Sequence, residues 1–142
     1  MLGLIRLLRR HFTPLPQWPC DWRKVRRFWQ AQRQVDWKLI GPAARRARGY
    51  ILVERIAAAP DAEDVFWSHL DDPDPVVAGY CLSGLELLES PLLAELPVSL
   101  KSREEVIRLL HCCFGADNTL GSHAKSVEER WRESYTDTAV NH

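Results

Sequence analysis

The chain has 142 residues, with 19 Lys or Arg against 19 Asp or Glu, and is long enough for one domain that buries its own core without disulfides or metal. Its four cysteines, Cys20, Cys81, Cys112 and Cys113, show neither zinc-ligand spacing nor an extracellular disulfide pattern, and no stretch approaches the roughly 20 apolar residues of a membrane span. Reduced thiols, no cofactor, no metal, no membrane span and a cytoplasmic location are therefore expected, yet the zero net charge hides a division: residues 1–59 hold 13 basic against 3 acidic residues and residues 60–142 hold 6 against 16, or +10 and −10.

In chain order, residues 2–10 suit a short amphipathic helix whose apolar run is broken by Arg6, which argues against a signal peptide. Residues 13–19 form an extended connector, because three prolines withhold amides from any regular ladder. A helix is expected over 21–35 with Asp21 as its cap and Trp22, Val25, Phe28 and Trp29 on one face, flanked by Arg23, Lys24, Arg26 and Arg27. Gly41-Pro42 breaks the pattern. Residues 43–59 resume as a helix on which Arg45, Arg48 and Arg55 share about 80° of arc, a cluster suited to a phosphate backbone or an acidic partner.

Residues 61–90 hold two amphipathic segments joined by an acidic, proline-rich corner. Asp74 is placed to cap the second helix, and Pro75 at its first position gives up an amide that has no partner there. Val77, Tyr80, Cys81, Gly84 and Leu88 make one apolar stripe, with Gly84 in its middle where a neighbouring helix can come close. The first helix carries Ala62, Val65, Phe66, His69 and Leu70 on one side, with His69 read as a hydrogen-bonded core residue, and Trp67 on the other.

The run Leu70-Asp-Asp-Pro-Asp-Pro-Val-Val77, followed by Cys81, Leu85 and Leu88 at helical spacing, resembles the HEAT repeat. This resemblance implies a layered helical hairpin used as a protein-binding scaffold. It covers only about 30 residues, and Ala78 and Gly79 stand where the family pattern has a basic residue.

Beyond Pro91, Ser102 and Glu105 have the spacing of a capping box, which predicts a helix through Val106, Ile107, Leu110, Cys113 and Phe114 that stops at Gly115. On that helix His111, Cys112 and Cys113 point about 100° apart and cannot converge on one metal. Residues 116–122 are expected to loop. A last helix carries Leu120, Ala124, Val127, Trp131 and Tyr135, and residues 136–142 are expected to fray. The expectation is one all-α domain over 1–142: a right-handed stack of about six to seven helices in antiparallel hairpins, of HEAT or armadillo type, with 1–20 as short helix and connector.

No catalytic constellation stands out. Ser83 is not at the centre of a nucleophile elbow, no phosphate loop or His-Glu-x-x-His occurs, and prolines 73 and 75 spoil the acidic run for calcium. The chain thus reads as a non-enzymatic protein-binding module docking a basic protein partner through Trp67, Asp71, Asp72 and Asp74, as an inhibitor or immunity-type protein neutralising a basic toxin would. The alternative is a nucleic-acid binder using Arg23, Arg26, Arg27, Arg45, Arg46 and Arg48.

Overall fold

The computed structural model describes residues 13–40, 45–112 and 114–140. The expected helix over 2–10, the Gly41-Pro42 break, Cys113 and the last two residues lie outside them. In chain order the elements are α1 (Trp22–Gln32), β1 (Val35–Ile40), β2 (Arg45–Arg46), α2 (Arg48–Ala57), α3 (Ala62–Ser68), α4 (Pro75–Leu87), a 3-10 turn (Pro91–Ala94), α5 (Val98–Lys101), β3 (Val106–Cys112), β4 (Phe114–Thr119) and α6 (Leu120–Val140). The strands make one mixed sheet of order β2-β1-β3-β4, in which β1 and β3 run parallel and the outer pairs antiparallel. The fold is therefore mixed α/β, and the expected all-α stack of HEAT or armadillo hairpins is wrong.

The error lies in the segments that form the strands: the helix expected over 43–59 begins only at Arg48, and Arg45 and Arg46 pair with β1 instead, so Arg45 does not share a helix with Arg48 and Arg55. In residues 35–40, Val35, Trp37 and Leu39 alternate with Asp36 and Lys38, the period of a strand, and Arg33 at φ 62° has already closed α1 after Gln32. In residues 102–112 the capping box does not form. Ser102 sits at the end of α5 with its hydroxyl donating to Val98 O at 2.8 Å, and Glu105 binds Arg103. The chain beyond it joins the sheet, pairing Val35 with Leu109 on one side and Ile107 with Asn118 on the other. Residues 114–119 are strand rather than a helix stop and loop, and α6 starts at Leu120 and runs past Thr136 to Val140.

Helix α4 is the axis of the core. Val76 through Leu85 are all buried, so the helix is enclosed on every side rather than along a single stripe. It packs against α1, α2, α3, α6, β1 and β3. Asp74 caps it as expected, accepting from the amides of Val76 at 2.8 Å and Val77 at 3.4 Å, with Pro75 in the first turn. Gly84 admits Phe66 of α3, whose ring carbon would lie 2.4 Å from an added Cβ. Gly79 does the same for Val35, at 2.6 Å, and so lets β1 lie against the helix.

An aromatic seam ties the N-terminal part to this axis. Trp18, Trp22 and Trp29 meet edge to face, Trp29 stacks on Tyr80 at 5.2 Å, and the Trp29 indole donates to Gly49 O at 3.0 Å. The connector lies on α2, where the Arg48 guanidinium donates to Thr13 O at 2.7 Å and that of Arg55 to Pro16 O at 2.9 Å. His69 closes the far end of the seam, stacked on Trp22 at 3.8 Å.

Candidate partner-binding groove

The corner between α3 and α4 faces the segment leading from α5 into β3, and a groove of about 660 Å3 lies between them. Trp67, Asp71 and Pro73 form one wall; Pro97, Leu100 and Arg103 form the other. Helix α3 is only seven residues long and turns off at His69, which leaves Trp67 on its last turn, half-buried with part of its indole against the core. Pro97 and Leu100 enter from the short α5. Leu100 is buried, so its side chain forms the floor.

Arg103 clamps the two walls together. Its guanidinium donates to Asp72 O at 2.6 Å and Pro73 O at 2.7 Å, and it meets the Glu105 carboxylate at 3.0 and 3.1 Å. Arg103 is largely covered, whereas the Glu105 carboxylate stands about half exposed and is held below the usual carboxylate range by the Arg103 hydrogen bonds. The clamp satisfies carbonyls at the corner and uses the positive charge that the described residues bring to the groove wall. Asp71 stands exposed beside Trp67, with exposed Asp64 one helical turn before it, and Glu105, its charge shared with Arg103, completes the rim.

Of the four residues expected to bind a partner, Trp67 and Asp71 line the groove. Asp72 does not. It is buried, its carboxylate bound by both Nε and Nη2 of Arg26 at 2.8 and 3.1 Å while also accepting from the Asp74 amide. Asp74 caps α4 and is likewise spent on the fold. Sequence reasoning missed Pro97, Leu100, Arg103 and Glu105, because Glu105 fitted a capping box and nothing local couples residue 103 to residue 72.

Four of the six arginines of the alternative have partners within the chain, Arg23 and Arg46 in exposed pairs. Arg23 pairs with Asp21, Arg26 with Asp72, and Arg46 with Glu54; Arg48 binds the connector and lies over the Phe28 ring at 5.3 Å. Arg27 and Arg45 are exposed. Of the four cysteines, Cys81 is buried at the core and burial pushes its thiol well up, while Cys20 is half-buried. Among the described residues no group of three His, Cys, Asp or Glu could hold a metal ion, and no helix is long and apolar enough to cross a membrane.

Comparison with known protein families, characterised proteins and solved structures finds no match to this chain.

Proposed function

We propose that the chain is a non-enzymatic protein-interaction module whose groove takes a basic, partly apolar segment of another protein, as a small inhibitor or immunity-type protein would. The observation that carries this is the setting of Trp67: a half-buried indole at the groove wall, fixed by the core on one side and flanked by the exposed carboxylates of Asp71 and Glu105. A rigid aromatic anchor beside a desolvatable floor is what binding energy concentrates on, and carboxylates at the rim steer and select a cationic partner. Arg103 closes the carbonyls behind the groove, so an incoming segment meets few unsatisfied backbone groups.

The nucleic-acid alternative has less support, since four of its six arginines are committed to partners within the chain. A fluorescein-labelled peptide alternating Lys with Leu and Trp serves as the test ligand in anisotropy titrations, with a single-stranded oligonucleotide as the competing arm. Trp67→Ala should weaken peptide binding about tenfold or more, and Asp71→Asn should weaken it less and flatten its salt dependence. Binding of the oligonucleotide in preference to the peptide, lost on Arg27→Ala with Arg45→Ala, would reverse the reading in favour of nucleic acid.

A further inference from the structure

A second cavity, of about 360 Å3, opens between β1, β3, the C-terminal half of α4 and the start of α6. Its volume is that of a site for a small organic molecule. Its walls divide by chemistry. On the sheet side stand Val35, Leu109 and the rings of Trp37 and His111, which lie within 24° of parallel with centroids 6.0 Å apart. On the helix side stand Ser83, Glu86, His123 and Arg130.

The charged groups differ sharply in what a ligand can reach. Asp36 is 1 % exposed, and its carboxylate accepts from the Gln34 side chain. The Glu86 side chain is 22 % exposed and that of Arg130 60 %, the two joined by one long contact of 3.5 Å. The accessible charge is thus a guanidinium with most of its donors unused by that contact. Ser83 donates its proton to Gly79 O and so offers the cavity only acceptor capacity. Burial pushes the His123 pKa down to about 4, so the ring lines the cavity without adding charge. Burial also pushes Glu86 up, which weakens its claim on Arg130.

We propose that this cavity binds a small planar aromatic monocarboxylate, its ring against Trp37 and Leu109 and its carboxylate on the guanidinium of Arg130. A flat ring fits a wall built of an indole, an imidazole and aliphatic side chains. A carboxylate matches the planar fork of Arg. A single negative charge matches a single cation, whereas a second one would lie beside the Glu86 carboxyl that already touches Arg130. This inference is independent of the groove and of the partner proposed for it.

The test is calorimetric titration of the full chain with 1-naphthoate, alongside naphthyl phosphate and 1-naphthylmethylamine as dianionic and cationic arms. Saturable binding of the naphthoate is expected, weakened about tenfold or more in Arg130→Gln and kept or strengthened in Glu86→Gln, which leaves the guanidinium in place and removes the competing charge. Arg130 is on an exposed turn of α6, so the variant keeps the fold; a melting curve matching the wild type checks this. No saturable binding up to about 10 mM, equal binding by Arg130→Gln, or tighter binding of the phosphate or the amine overturns the proposal.

Discussion

Gly84 leaves no room for a methyl group, because an added Cβ would sit 2.4 to 2.5 Å from three atoms of the Phe66 ring. Alanine is worth roughly 1 kcal/mol more than glycine inside a helix, but crowding a packed core costs about 1 to 3 kcal/mol. Gly84→Ala is therefore expected to lower the urea midpoint, and a rise would show that Phe66 can move aside. His123 gives a pH-dependent prediction. Its folded pKa of about 4 lies below the ordinary value of 6.5, so the unfolded chain takes up a proton that the folded chain refuses. The stability from this site is present above pH 6.5 and lost as pH falls through 4, on the order of 3 kcal/mol in all. His69, pushed down by burial against the pull of Asp72 and Asp71, acts in the same direction; Glu86, pushed up by burial, acts in the opposite one. Thermal melts of wild type and His123→Gln at pH 7 and 4.5 read the difference, with the variant losing less on acidification. At this scale the sequence was legible where the chemistry is local. Asp74 and Pro75 announce a cap within three residues, whereas the partner of Asp72 is Arg26, 46 positions away.

Helices α1, α3, α4 and α6 were legible because each carries an apolar periodicity and, for α1 and α4, a cap that can be read along the chain. The strands were less so for two different reasons. Residues 35–40 do alternate with period two, but they follow a helix without a glycine or proline to mark the boundary, and Arg33 makes the left-handed turn instead. Residues 106–112 read Val-Ile-Arg-Leu-Leu-His-Cys, which satisfies a helical stripe as well as a strand; the choice is made by the parallel pairing with β1, some 70 residues earlier. One substitution separates the helix from the strand reading of 102–112, and two more test the burial of α4. Ser102→Ala would cost about 1 kcal/mol if Ser102 capped a helix, and is expected to change stability by under about 0.5 kcal/mol where it ends α5 on the exposed surface. Along α4, Val77→Ala at a fully buried position should cost about 1 to 3 kcal/mol. Leu88→Ala should cost less than a core leucine, since Leu88 is only half-buried at the end of the helix. Denaturant melts of the three variants decide both points.

Across the whole molecule the basic and acidic parts of the chain are partly folded onto one another. Arg26 binds Asp72, and much of the remaining arginine is used to hold the fold: Arg48 and Arg55 fasten the connector, and Arg103 and Arg132 bind carbonyls of the corner and of Ala94. Glu128, which burial alone would push up, is held down by the Leu96 amide and Lys101, and so fastens α6 to the 3-10 turn and α5. Composition shows the charge division but not which charges are spent. What stays exposed around Trp67 is acidic, and this supports a basic partner segment. The candidate groove was half legible for the same reason: Trp67 and Asp71 belong to the α3–α4 corner that the sequence marks, and the opposite wall comes from a segment read as the start of a helix. The most direct measurement is a ¹H–¹⁵N correlation spectrum of the full chain titrated with the Lys/Leu/Trp peptide. Shifts are expected to concentrate at residues 67–73 and 97–105 together with the Trp67 indole signal, and to disappear in Trp67→Ala. Shifts confined to α1 and β2, or a peptide response unchanged in Trp67→Ala, would contradict binding in the groove.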